Sequence, residues 1–268
     1  MTRSDTFEQL LAEGESVPVA GWDFSWFEGR ATEERPSWGY TRLIGERMAE
    51  VSTALDIQTG GGEVLARIPH PPAVLAASES WPPNVEVARR NLGPLGATVV
   101  QVADDADRPF PSKSFDLVVS RHPTVALWPE IARVLKPGGA YLSQQVGAGS
   151  VRELTDFMMG PQPVGDGRST RRAVADAEAA GLTVVDLRHE TLRMEFNDVA
   201  AVVHFLRKVI WIVPDFTVDR YRSRLAELHQ LIQSEGPFVA HAQRFLIEAS
   251  AATTLLEPEP DGWRGGER

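Results

Sequence analysis

Three groups of residues, each closing an apolar run, have the types and spacing to hold a small polar ligand. The first is Asp56 with three consecutive glycines, in Ala54-Leu55-Asp56-Ile57-Gln58-Thr59-Gly60-Gly61-Gly62-Glu63-Val64-Leu65. An apolar run, an acid, a glycine cluster and a helix-compatible segment read as the first strand, turn and helix start of a nucleotide-binding α/β unit. Glycine has no Cβ, so it adopts positive φ and lets backbone N–H groups approach a ligand closely. An ordinary tight turn would use the same residues. The second group is Glu79, which closes the run 73–78, 17 residues after Gly62. That is near the spacing of about 20 at which a second-strand acid accepts hydrogen bonds from ribose hydroxyls; a solvent-facing acid at a helix start is the plainer alternative. The third is Asp104-Asp105-Ala106-Asp107, just past the run 97–102. The outer end of a strand is where open α/β sheets bind ligands, although three acids in four positions also suit a solvated turn.

The elements that position these groups follow from the patterning around them. Pro36 can open a helix, and 37–51 carries Tyr40, Leu43, Ile44, Met48 and Val51 at helical spacing. After the three runs above, the continuous apolar segment 115–120 reads as a buried fourth strand and 140–146 as a fifth. Helices are expected at 84–92 and 128–135, the second stopped by Lys136-Pro137-Gly138-Gly139. Further on, 160–167 reads as a loop and Thr170 as the cap of a helix to Ala180 that Gly181 ends. Residues 182–187 form a sixth strand with an extension over 189–196. Asp198 starts an apolar helix reaching Trp211, with Pro214 as its breaker. A helix over 218–234 has Tyr221, Leu225, Leu228 and Leu231 on one stripe, and 238–249 supplies the last strand.

Taken together, Asp56 with Gly60 and Gly62, Glu79, Asp104 in Ala-Asp-Asp-Ala, Pro109-Phe110-Pro111 before Ser114-Phe115-Asp116-Leu117-Val118, and Arg133-Val134-Leu135-Lys136-Pro137-Gly138-Gly139 resemble the class I S-adenosylmethionine-dependent methyltransferases. The resemblance covers about residues 50–147, in the family's order. It implies a Rossmann-like α/β fold: a seven-stranded, mostly parallel sheet with helices on both faces and a helical insertion before an antiparallel last strand. It also implies S-adenosyl-L-methionine as cofactor. Asp56 would organise the cofactor loop, and Gly60 and Gly62 would let the backbone pass the methionine part. Glu79 would hold the ribose hydroxyls, Asp104 the adenine amino group, and Asp105 would approach the ring through its N–H. Ser120 and Arg121 would line the methionine end. Two departures stand out: Gln58 occupies a position where the family usually has glycine, and Ser80-Trp81 follows Glu79 in place of a small-residue turn.

For the transfer itself, a sulfonium is already a good leaving group, so the protein mainly positions the reactants and excludes water. A base is needed only for a protonated hydroxyl or amine acceptor, and His122, directly after Ser120-Arg121, is the catalytic candidate because imidazole titrates near neutral pH. The substrate-pocket candidates are Trp26, Phe27, Trp38, Tyr40, His204 and Trp211; aromatic faces favour a positively charged sulfur, and core packing explains the same rings. Residues 1–35, which include Trp22 and Phe24, read as an N-terminal arm with one or two short helices. Residues 36–256 form the methyltransferase domain, 197–236 its helical lid, and 257–268 a disordered tail. A largely apolar pocket between arm and insertion suits a small aromatic or polyketide-like acceptor, methylated on O or N, better than a phosphorylated one. The same apolar insertion could form a homodimer interface.

Composition narrows the classes. The chain has 268 residues, 43% hydrophobic, no cysteine and a net charge of -10. Zero cysteine excludes disulfides, thiolate nucleophiles and cysteine zinc sites. The six histidines show no metal-ligand spacing with carboxylates, so no metal is expected. No run approaches the roughly 20 apolar residues that span a bilayer, and Met1–Ser16 has no apolar signal core; a cytoplasmic protein without membrane contact is the expectation. The negative charge opposes a nucleic-acid partner. An RNA methyltransferase draws some support from Arg207, Lys208, Arg220, Arg222 and Arg224. A protein that binds the cofactor without methylating draws its support from Gln58. A nicotinamide dehydrogenase fits poorly, because Leu65 stands where its fingerprint needs a small residue.

Overall fold

A computed structural model describes residues 6–20 and 23–253; Trp22 and the tail 257–268 lie outside the described residues. Along the chain, the arm gives α1 (Phe7–Ser16) and β1 (Ala31–Glu33), and α2 (Tyr40–Ala49) leads into β2 (Thr53–Ile57). Then come β3 (Val74–Glu79), α3 (Pro82–Leu92), β4 (Thr98–Gln101), β5 (Phe115–Arg121), α4 (Trp128–Val134) and β6 (Leu135–Val146). The remainder is α5 (Arg152–Met159), α6 (Thr170–Ala179), β7 (Leu182–Phe196), α7 (Val199–Lys208), α8 (Val218–Glu235) and β8 (Phe238–Ala251). All eight strands form one sheet in the order β1-β7-β8-β6-β5-β2-β3-β4. Strands β2 to β6 pair in parallel, and β8 inserts antiparallel between β6 and β7.

The apolar runs become central strands because both their faces are covered. On one face Ile44 and Met48 of α2 and Ala88 and Leu92 of α3 pack on Ala54, Leu75, Leu117 and Leu142. On the other, Trp128, Ile131 and Val134 of α4 with Ala173 and Ala177 of α6 pack on Leu55, Val118 and Tyr141. A third core joins α1, α5, α7 and α8 to the outer halves of β7 and β8. A fully buried Leu or Val contributes about 1.5–3 kcal/mol, so each core is a large contributor to stability.

Several expectations are corrected. The sheet has eight strands where seven were expected. The extra one, Ala31–Glu33, pairs antiparallel with 194–196; three residues on an edge carry no readable alternation. The sixth strand and its extension are one 15-residue strand with an irregularity between Val184 and Asp186. No helix follows the glycine turn. One short 3-10 turn at Leu65–Arg67 is all that forms, because Pro69, Pro71 and Pro72 remove donors and disfavour α geometry before them. Helix α2 starts at Tyr40 from Gly39 in the left-handed region, four residues past Pro36. Ser169, one residue before Thr170, caps α6 through its hydroxyl, which accepts from the Arg172 N–H at 3.1 Å. Helix α7 ends at Lys208, short of Trp211. Its start is as expected, the Asp198 carboxylate accepting from the Ala201 N–H at 2.8 Å.

Residues 197–236 are built into the third core. Every residue from Val199 to Leu206 is buried, and α1 packs on α7 so closely that a Cβ at Gly14 would sit 2.6 Å from the Ala200 carbonyl oxygen. The insertion is therefore a wall of the molecule.

Candidate functional site

At the outer end of β2 the chain turns through Gln58, whose φ is 56°. A left-handed glutamine is strained relative to glycine, and its side chain is engaged in return. Its amide oxygen accepts from the Thr124 N–H at 2.6 Å and its amide nitrogen donates to the Val125 carbonyl at 2.7 Å. The Thr124 hydroxyl in turn donates to the Asp104 carboxylate at 2.7 Å. Gln58 thus ties the β2 turn to the segment after β5 and, through Thr124, to the acidic turn after β4.

The glycines serve packing as well as conformation. Gly60 and Gly62 have φ of 63° and 75°. A Cβ at Gly62 would lie 2.8 Å from Leu92 Cγ, and one at Gly61 2.8 Å from Val87 Cγ1, so the turn lies directly on α3. Glu79 sits beneath it: one carboxylate oxygen accepts from the Gly60 N–H at 2.8 Å, the other from the Trp81 N–H at 3.0 Å. Burial raises the Glu79 pKa, and the N–H groups of Trp81, Gly60 and Ser80 oppose that rise. Of the carboxylate's roughly four lone-pair sites, these three N–H groups leave one.

Asp56 is 92% buried by accessible surface, being 8% exposed, and accepts from the Thr59 hydroxyl at 2.6 Å. Burial lifts its pKa to about 7, partly countered by the Thr59 bond, with Glu79 raising it further and Arg121 lowering it. The acidic turn is shaped by Arg108, which sequence reasoning passed over. Its buried guanidinium donates to the carbonyls of Ala103, Ala106 and Asp104 at 2.8, 2.6 and 3.1 Å. An arginine directly before Pro109-Phe110-Pro111 was the available signal.

Beside this end of the sheet lies a cavity of about 420 Å³ between β2, β5, β6, β8, the arm and α7. Its walls include Phe24, Phe27, Tyr40, Ile44, Val146, Met194, Phe205 and Trp211, and its polar lining includes Asp56, Arg121, His122, Gln144 and Arg244. Of the residues expected at the site, Asp56, Arg121, His122, Phe27, Tyr40 and Trp211 come together here. Gly60, Gly62, Glu79, Asp104 and Asp105 surround the glycine turn outside the cavity. Four expected residues are committed elsewhere. The Ser120 hydroxyl lies within the sheet, 2.7 Å from the Tyr141 hydroxyl and 2.9 Å from that of Ser143. Trp26 packs edge-on against Phe27 under the Arg30 guanidinium. His204, 1% exposed, stacks on Phe27 and meets Trp26 edge-on, and burial first, then Lys208 and Arg207, lowers its pKa to about 4. Trp38 is buried and donates its indole N–H to Gln144 at 2.8 Å.

That last bond fixes the state of His122. An indole N–H can only donate, so the Gln144 oxygen accepts from Trp38 and the Gln144 amide nitrogen must donate to His122 Nε2, 2.8 Å away. The remaining imidazole proton is then on Nδ1. Burial, followed by Arg121, Arg244 and Arg168, holds the His122 pKa well below its ordinary value. The ring is neutral near pH 7 and its basic lone pair is occupied. Gln144, a buried polar residue inside an apolar strand, was the sequence signal for this relay.

The geometry of an acid, a glycine turn and two further acids at successive parallel-strand ends has a counterpart in known proteins. The methyltransferase domain family model matches residues 55–143, which span β2 to β6. Residues 55–143 are thus a methyltransferase domain. Among solved structures, a Bacillus halodurans C-125 protein assigned to the methyltransferases is similar at 17% identity, with TM-score 0.57, covering 80% of this chain and 100% of that one. The YcgJ protein of Bacillus subtilis is similar at 19% identity, TM-score 0.57, with 79% and 97% covered. At these identities the likeness is one of fold. Among curated proteins none matches the sequence. The matched segment ends before α7, α8 and β8, so the cavity walls from α7 and β8 lie outside the matched residues. No helix among the described residues is long and apolar enough to cross a membrane.

The donor set suits S-adenosylmethionine. The cofactor carries an ammonium and a sulfonium, and Asp56 is a cavity-lining acid; it carries ribose hydroxyls and an adenine amino group, and Glu79 and Asp104 have acceptor capacity left.

Proposed function

We propose that this methyltransferase binds S-adenosylmethionine across the outer ends of β2, β3 and β4 and methylates an O or N atom of a small molecule seated in the 420 Å³ cavity. The carrying observation is that Asp56 belongs to both regions: it stands one residue before the end of β2, beside the glycine turn, and lines the cavity. When bound, the cofactor supplies a methyl group on an electrophilic sulfur. Asp56 holds its ammonium side, Glu79 the ribose hydroxyls and Asp104 the adenine amino group. Phe27, Tyr40, Phe205 and Trp211 exclude water around the acceptor, and the arm with residues 197–236 chooses it. His122 orients the acceptor by donating from Nδ1; it does not serve as the base.

Isothermal titration with S-adenosylmethionine, followed by S-adenosylhomocysteine release over a small-molecule panel, tests the reading. Glu79→Ala removes a carboxylate that supports both the Gly60 amide and the ribose. Cofactor affinity is expected to fall about ten- to a hundredfold, and unchanged affinity would show that the ribose lies elsewhere.

A further inference from the structure

His122 is held twice by one residue. Its backbone N–H donates to the Gln144 carbonyl at 2.7 Å, and its Nε2 accepts from the Gln144 side-chain amide at 2.8 Å. Trp38 orients that amide by donating its indole N–H to the Gln144 oxygen at 2.8 Å, and both Trp38 and Gln144 are 3% exposed. The tether keeps His122 at a φ of 55°, in the left-handed region that a non-glycine residue occupies at a cost and keeps only where its surroundings over-determine it. The other ring nitrogen is free. Nδ1 makes no hydrogen bond among the described residues and, unlike Nδ1 of His204, is not closed off by protein; His122 lines the cavity. Of the carboxylates on the arm side of that cavity, Glu33 accepts from Arg244 and Glu34 from the Arg193 N–H, and among the described residues none is bonded to His122. The charged side chains that act on the ring, Arg121, Arg244 and Arg168, are all cations and oppose a second proton. The cavity therefore receives one N–H from His122 and no lone pair.

We propose that Gln144, oriented by Trp38, is a positioning residue for acceptor choice: it holds His122 as a hydrogen-bond donor, so the methyl acceptor presents a carbonyl oxygen to Nδ1 beside the atom that is methylated. The inference rests on the small-molecule reading above and deepens it by naming the acceptor's chemical class. Asp56 of β2 lies opposite Val119 of β5, and His122 follows three residues later, so the ring stands at the strand end next to the acid assigned to the cofactor's ammonium side. An acceptor atom within reach of the methyl group lies near that ring. The lone pair that attacks the methyl carbon is the wrong one to tie up in a hydrogen bond, which leaves a second, adjacent oxygen as the partner of the Nδ1 proton. A carbonyl offers only lone pairs and fits. A protonated amine offers only N–H donors, meets the Nδ1 proton head-on and is rejected. A ligand with no acceptor there leaves a buried donor unpaired, and that penalty is what makes such a site selective.

The test reads the ring directly. Long-range proton–nitrogen NMR spectra of isotope-labelled protein, with the His122 signals assigned by their loss in His122→Phe, are expected to show a neutral ring protonated on Nδ1. A ring protonated on Nε2 overturns the proposal. Gln144→Glu keeps the size and the Trp38 bond, but its ionised carboxylate accepts from the ring; at about pH 9 it should move the proton to Nε2 and turn a lone pair toward the cavity. Binding of benzophenone and of 1,1-diphenylethene, which share a shape but exchange C=O for C=CH2, is then measured in both proteins loaded with S-adenosylhomocysteine. The ketone-to-alkene affinity ratio is expected to fall about tenfold in the variant. Should Gln144→Glu not fold, His122→Phe removes the donor and should lower the ratio by a similar factor. An unchanged ratio, or a ketone that does not bind the wild type, overturns the proposal. A ratio that holds while S-adenosylhomocysteine affinity falls about tenfold does so as well, and would put the cofactor's carboxylate on Nδ1. If the wild type binds no cofactor, the methyl-transfer reading fails by itself. The ring's protonation and the probe ratio, measured on cofactor-free protein, then still support or overturn the carbonyl site.

Discussion

The parallel and antiparallel halves of the sheet handle their polar groups in opposite ways. In the parallel half, the acids at the strand ends are tied down locally: Glu79 by the Gly60 and Trp81 amides, Asp104 by Thr124. In the antiparallel half, β7 and β8 with the arm, α7 and α8 form an apolar wall, and the charges they bring to the cavity are mixed: Glu28, Glu33, Glu34 and Arg35 from the arm and Arg244 from β8. The proposed cofactor side is thus pre-formed by hydrogen bonds, whereas the proposed acceptor side is assembled from segments far apart in the chain. A fixed cofactor site with a variable wall lets one fold serve different acceptors.

If the two halves are one cooperative unit, cutting either core shifts a single transition. Phe196, fully buried at the seam of β1, β7 and α7, is the largest test: Phe196→Ala is expected to cost about 3–5 kcal/mol, and Leu55→Ala in the parallel half about 2–5 kcal/mol. Urea unfolding followed by both tryptophan fluorescence and far-ultraviolet circular dichroism reads this. Two separated transitions in either variant would show that the halves unfold independently.

A comparable effect is expected from Asp56, which belongs to both halves' function. Its folded pKa, about 7, lies above the ordinary value of 3.8, so its contribution to stability is fully present below pH 3.8 and is lost as pH rises toward 7. Asp56→Asn should therefore gain on the wild type between pH 4 and pH 8, by at most about 4 kcal/mol. A difference in urea midpoint that does not change with pH would mean the carboxyl is better solvated than its burial indicates. Binding of a cationic cofactor beside Asp56 should also strengthen as pH rises through 7, read as proton release in titrations run in two buffers.

The smallest effect sharpens the boundary between the halves. Gln58→Gly relieves a positive φ, worth about 1 kcal/mol, and loses the side-chain bridge to Thr124 and Val125, which is worth a similar amount. Stability should stay within about 1 kcal/mol, while hydrogen exchange at Thr124 should rise. Unaltered exchange there would show that the bridge does not hold the segment after β5.

Sequence patterning by itself determined the parallel half. The strand ends beside Asp56, Glu79 and Ser120, the helices expected over 84–92 and 128–135, and the last strand expected over 238–249 lie within two residues of where periodicity and turn residues placed them, since these signals act over a few residues; the antiparallel sense of the last strand came from the family resemblance. The glycine turn was legible too, although its packing on Val87 and Leu92 was not, because that contact joins residues some 25 to 30 apart. Only the tertiary structure decided the rest. It made β1 a strand through pairing with 194–196, put Trp38 and His204 in the core, and turned Ser120 toward Tyr141 and Ser143. It also gave His122 its neutral form, which depends on Trp38, Gln144 and three arginines drawn from five separate segments. A residue type states what a side chain can donate, accept or carry; which of those capacities is already spent depends on neighbours that only the folded chain brings within hydrogen-bonding distance.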